Sequence, residues 1–130
     1  MKKLTLIFPL IILILGNSLV SFSQKNCTIE IEPNQTVIDG ELIEPGDVVC
    51  LLAGNKDYIL FKDIQGTESS PITIVNKGGA VVINTDHFYG VKFDNCKHVI
   101  FSGNGEPGMA YGIRITRVGN GAGMSIDNMS

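Results

Sequence analysis

Three side chains, Thr73, Lys92 and Arg114, are where the sequence offers chemistry. Each stands between two apolar residues, in Ile72-Thr73-Ile74, Val91-Lys92-Phe93 and Ile113-Arg114-Ile115. Alternate residues of an extended strand point to opposite faces, so this spacing predicts the apolar neighbours inward and Thr73, Lys92 and Arg114 outward. With these strands adjacent in one sheet, the two cations stand one strand apart and repel modestly. They then call for a counter-charge. A uronate carboxylate of an acidic polysaccharide would supply it, and arginine grips a carboxylate through two parallel hydrogen bonds. A solvated surface, with Asp94 or a loop carboxylate as partner, accounts for the same residues without a ligand.

Other reactive side chains are less organised. His87 and His98 titrate in a range suited to general bases, but neither has a companion acid or nucleophile at recognisable spacing. Asp57, Asp63, Asp86, Asp94 and Asp127 are scattered, without the closely alternating carboxylates of a calcium loop, and read as turn and surface residues. No metal site is expected, because no cysteine pair lies near a histidine at ligand spacing. Cys27, Cys50 and Cys96 leave an odd count. Cys27 with Cys50 could staple the N-terminal end, and both would serve equally as small buried hydrophobes. Asn34-Gln35-Thr36 and Asn128-Met129-Ser130 match the glycosylation pattern but carry little weight behind a leader of bacterial type.

The elements that must position these residues repeat. Tyr89-Gly90-Val91-Lys92-Phe93 and Tyr111-Gly112-Ile113-Arg114-Ile115 share one pattern 22 positions apart. Such a period, on alternating strand residues, predicts a solenoid of stacked parallel strands. A second strand follows each of the three: Ala80 to Ile83, Val99 to Phe101, and Met124 to Ile126. This register puts Ile72, Val91 and Ile113 in one interior column and Ile74, Phe93 and Ile115 in another. Asn76 and Asn95, each two residues beyond a strand centre, would form an asparagine ladder at a turn; two ordinary turn asparagines are the alternative. Upstream, Cys27 to Ile31 is a short leading strand, Pro45-Gly46-Asp47 a turn, Val48 to Ala53 a buried strand, and Tyr58 to Phe61 another. Leucine-rich repeats share the period, but no leucine follows Leu60. An antiparallel sandwich is the stronger rival.

Residues 1–23 read as an export signal. Lys2 and Lys3 precede an apolar run from Leu4 to Leu15, and Ser21-Phe22-Ser23 places small residues for cleavage between Ser23 and Gln24. The run falls short of the roughly 20 residues that span a bilayer, so no membrane span is expected after its removal. Gln24-Lys25-Asn26 before Cys27 lacks the character of a lipidation site. Losing Lys2 and Lys3 takes the net charge from −3 to −5. A mildly acidic chain without a basic run argues against nucleic acid as a partner. Fifteen glycines and abundant Val and Ile suit strands joined by tight turns. The segments are therefore a leader (1–23), a leading segment or cap (24–46) and strand repeats (47–130).

Pro45-Gly46-Asp47-Val48-Val49, then Ser70-Pro71-Ile72-Thr73-Ile74, then Gly78-Gly79-Ala80-Val81-Val82-Ile83 resemble the N-terminal coils of right-handed parallel β-helix proteins of the pectate-lyase-like class. They are similar to secreted polysaccharide lyases of the alginate lyase and chondroitinase B type, and to exported bacterial β-helix proteins. The resemblance covers about Pro45 to Ile126 and rests on structural motifs, which specify fold better than activity. It implies an N-terminal capping helix, yet residues 34–44 are too rich in turn formers to supply one. It also implies a catalytic lysine and arginine and calcium ligands in later coils, so no catalytic residue is assigned here, and no cofactor is expected in these coils. Met124 to Ser130 carries no polar cap, which predicts a fragment of a longer protein; a short chain whose open end is covered by a partner is the alternative.

The expectation is an all-β, right-handed parallel β-helix, exported, of which these are the N-terminal coils. Two functions follow: part of a polysaccharide lyase acting on acidic polysaccharide, inactive by itself, or a non-catalytic surface scaffold or glycan-binding module.

Overall fold

A computed structural model describes residues 26–129. The expected cleavage at Ser23 and Gln24 lies outside the described residues. The chain is all-β. Among the described residues nine strands run in order: β1 (Ile29–Ile31), β2 (Val37–Asp39), β3 (Val48–Lys56), β4 (Ile59–Lys62), β5 (Ile72–Thr85), β6 (Tyr89–Asp94), β7 (Val99–Ser102), β8 (Ile113–Val118) and β9 (Ala122–Asp127). Where a capping helix was in question there is one three-residue 3-10 turn, Gly40–Leu42, capped by Asp39 Oδ1, which accepts from Glu41 N at 3.1 Å.

Two sheets form, and every strand pairing is parallel. The first runs β1-β3-β5-β7, with β8 also on β5; the second runs β2-β4-β6-β9. The antiparallel sandwich is therefore excluded. Each pass of the chain lays down first-sheet strand, then second-sheet strand, and the next pass pairs with it. The long first-sheet strands β3 and β5 turn a corner on the way. In β5 the corner is Gly78-Gly79, at φ +77° and +141°, where a residue with a Cβ would be strained. The pairing of β3 with β5 shifts at the same level, between Leu52 and Gly54.

Alternation decides which residues enter the core. Val49, Leu51, Ile59, Phe61, Ile72, Ile74, Val81, Ile83 and Val91 all point inward and are fully buried, and Phe93 joins them. Phe61, Phe93 and Phe101 pack ring on ring between the sheets.

The register differs from the sequence reading. Val91 pairs with Ile59 and Met124 in the second sheet, whereas Ile72 pairs with Val99, and Ile113 with Val81, in the first. Likewise Ile74 neighbours Val49 and Phe101, Phe93 neighbours Phe61 and Ile126, and Ile115 neighbours Ile83. The two proposed columns do not exist. Val99–Phe101 and Met124–Ile126 are not repeats of Ala80–Ile83 either; they continue Ile72–Ile74 and Val91–Phe93. The Tyr-Gly pattern recurs on different sheets because the length of a pass is set by its loops, and Gly103 to Gly112 lengthens the last one.

The asparagine ladder is also relocated. Asn76 is a buried residue inside β5 and Asn95 an exposed one just past β6. The stack that does form is Asp63, Asn95 and Asn128, each directly after a second-sheet strand and each left-handed, with φ of 56°, 53° and 53°. Asn95 Nδ2 donates to Asp63 Oδ1 at 2.6 Å, and Asn128 Nδ2 to Asp94 Oδ1 at 2.7 Å.

Candidate functional site

Thr73, Lys92 and Arg114 are not brought together. Thr73 points out of β5 between Val48 and Ile100, yet it is buried and out of reach of a polymer. Lys92 lies on the second sheet between Leu60 and Ser125. Its counter-charge is internal: Nζ stands 2.8 Å from Asp127 Oδ2 and 5.7 Å over the Tyr89 ring. The hydrogen bond with Asp127 raises the Lys92 pKa and lowers that of Asp127. Arg114 is on the first sheet beside Val82, with Nε donating to Tyr111 O at 3.0 Å. The expected pair of cations on neighbouring rungs is therefore corrected: they lie on different sheets, and Lys92 is already paired with Asp127.

Cys27 and Cys50 are bonded, with Cα atoms 5.7 Å apart. Cys96 is buried and free, and burial pushes its thiol pKa up. Among the described residues no group of three or more His, Cys, Asp or Glu side chains is placed to hold a metal ion.

Charge and exposed aromatic surface gather elsewhere, at the turns between the first sheet and the second. Three successive passes contribute Asp57 and Tyr58, then Asn84 to Phe88, then Arg117 to Asn120. Thr85 Oγ1 donates to Asp57 Oδ1 at 2.7 Å and accepts from His87 N at 3.0 Å. His87 Nε2 lies 3.5 Å from Asp57 Oδ2, and its ring rests on Tyr58, centroids 4.2 Å apart. One carboxylate thus positions both the buried hydroxyl and the exposed imidazole. On the next pass Arg117 Nη2 meets Asp86 Oδ1 at 2.6 Å, with both side chains largely exposed. Asn120 Nδ2 donates to Asp86 O at 3.0 Å.

Phe88 completes the group. The residue is 75% exposed, although its carbonyl is held by Ala122 N at 3.0 Å. A fixed backbone with an outward ring is the arrangement of a contact platform rather than of core packing. An open cavity of about 370 Å³ is lined by Asp57, Thr85, Asp86, His87, Phe88 and Arg117, with Asn84. It offers a ring face, a guanidinium paired with the exposed Asp86 carboxylate, an oriented imidazole and a second carboxylate, Asp57. Those groups suit a polar ligand with apolar faces.

In the sequence His87 has no companion at recognisable spacing, and Arg117 belongs to no motif. The companion, Asp57, is 30 positions upstream and reaches His87 only because the passes stack. No family model, no curated protein and no solved structure matches the chain.

Proposed function

We propose that this chain forms coils of an exported right-handed parallel β-helix that binds acidic polysaccharide, and that the glycan sits at the turn cavity of His87, Phe88 and Arg117. The winding is supported by seven strand pairings, all parallel, each joining one pass to a later one. Export is supported by the Cys27–Cys50 bond, which belongs to an oxidising compartment. One observation carries the binding role: Arg117 and the exposed Phe88 ring line the same cavity. A pyranose can lay its C–H face on Phe88 while its carboxylate takes the place of Asp86 on Arg117. The ligand class is uronate-containing polysaccharide, and the reading is of a binding surface.

Calorimetric titration with oligogalacturonate, alginate oligomer and a neutral cello-oligosaccharide tests it. Wild type should prefer the acidic oligomers. Arg117→Ala should lose about tenfold or more of that affinity, as expected for one charge-assisted pair, and Phe88→Ala should weaken acidic and neutral ligands alike. Equal acidic-oligomer affinity in wild type and Arg117→Ala overturns the assignment. Ultraviolet absorbance followed in the same samples reports whether bound uronate is also cleaved by elimination.

A further inference from the structure

A second cavity, of about 630 Å³, lies on the outer face of the first sheet and shares no lining residue with the turn cluster. Its outer wall is the loop from Gly103 to Gly112, inserted between β7 and β8. In the two earlier passes the same junction is no more than a corner within β3 and within β5. The coil therefore does not need this loop, and an insertion carried by one pass is where repeat proteins place binding surfaces.

The loop is pre-organised over Asn76. Gly112 N closes its base on Gly103 O at 2.9 Å. Gly105 N donates to Asn76 Oδ1 at 2.9 Å, and Asn76 Nδ2 donates to Gly79 O at 2.8 Å and to the Met109 sulfur at 3.6 Å. A side chain on Gly112 would lie 2.2 Å from Asn76 Oδ1, so the approach admits only glycine. Glu106 is fixed by accepting from Gly78 N, and the adjoining Lys77 is paired with Glu30.

The lining selects a ligand class. Val75 and the Cys27–Cys50 bond on the sheet side and Met109 on the loop side give an apolar and polarisable lining, and its charged groups are one cation, Lys77, and one anion, Glu106. No aromatic ring lines it, which leaves no platform for a sugar. Charges of opposite sign on neighbouring parts of the rim disfavour a simple anion or a simple cation. We propose that this cavity binds a small zwitterion with an apolar side chain, of the amino-acid or dipeptide class. The carboxylate takes the place of Glu30 on Lys77, the ammonium pairs with Glu106 while that side chain keeps its bond from Gly78 N, and the ligand's side chain lies on Met109 and the disulfide. The volume falls within the range of small-molecule sites.

The probe is L-phenylalanine, compared with phenylalaninamide, which lacks the carboxylate, and 3-phenylpropionate, which lacks the ammonium. Titration of the intact protein should show phenylalanine bound at least about tenfold more tightly than either analogue. Lys77→Met should abolish the difference between phenylalanine and phenylalaninamide while leaving the circular dichroism of the fold unchanged. Arg117→Ala should leave phenylalanine affinity unchanged, which separates this cavity from the glycan site. No binding of phenylalanine, or equal binding of all three compounds by wild type, overturns the proposal without any variant being needed.

Discussion

The ring of Phe61 lies on that of Phe93, centroids 4.9 Å apart and planes inclined by only 16°. Phe101 meets the two edge-on, at 5.9 and 5.3 Å. Phe61 and Phe93 are register partners on adjacent second-sheet strands, and Phe101 comes from the first sheet. The triplet therefore joins three successive passes and ties the two sheets to one another.

Replacing Phe93 by alanine should cost about 3–5 kcal/mol, the transfer energy of the ring plus the cavity left behind. Denaturant unfolding measures it. Because Phe61 and Phe93 share their contact surface, the double alanine variant should lose less than the sum of the two single losses. A shift of under about 1 kcal/mol for Phe93→Ala would contradict this packing.

The left-handed stack at Asp63, Asn95 and Asn128 makes a sharper test, since it separates backbone strain from side-chain loss. Asn95→Gly keeps φ near 53° without strain and gives up the bond to Asp63, so it should change stability by no more than about 1 kcal/mol. Asn95→Val places a β-branched residue in the same region and should cost about 2 kcal/mol or more. Thermal melts of the pair, side by side, decide the matter; valine matching glycine would mean that the turn is not held as described.

Local pattern and pass length explain how much was legible beforehand. In Ile72-Thr73-Ile74 and Val91-Lys92-Phe93 the inward and outward faces follow from alternation alone, and the structure buries the residues that alternation points inward. Which strand lies beside which depends on the loops. Once Gly103 to Gly112 lengthens the last pass, Val91 meets Met124, and the similar string at Ile113 falls on the other sheet. Asn76 resembles Asn95 in its offset from a strand, but β5 continues through Gly78-Gly79 where β6 stops, so one asparagine is mid-strand and the other in a turn. The turn cluster was hidden for the same reason. Asp57, His87 and Arg117 form no motif in one dimension and become neighbours only through stacking.

Lys56 is an internal staple, buried although it carries a charge. Its buried ammonium donates to the carbonyls of Glu32, Pro33 and Gln35 at 2.6, 3.1 and 2.9 Å, clasping the turn between β1 and β2. Lys56→Met keeps the aliphatic stem and removes all three bonds. It should destabilise by about 2–3 kcal/mol, and amide exchange should rise first in residues 32–37. Unaltered exchange in that turn would show that the carbonyls do not depend on the lysine.

Acid should act through Asp127. Its carboxyl pKa is lowered from 3.8 chiefly by the hydrogen bond from Lys92, then by the one from Ser125. A carboxylate whose folded pKa lies below its unfolded value is deprotonated more readily in the native state. The stabilisation is therefore fully present above the ordinary carboxylate range and is lost as pH falls through the lowered folded value. Asp63 is shifted the same way, first by Asn95. Thermal midpoints of wild type and Asp127→Asn, measured from about pH 6 down to about pH 3, should differ most at the upper end and converge at the lower. Lys92→Met should give the same convergence, because it removes the other half of one interaction. A gap that stays constant across the range would place the stabilising effect of Asp127 in something other than its charge.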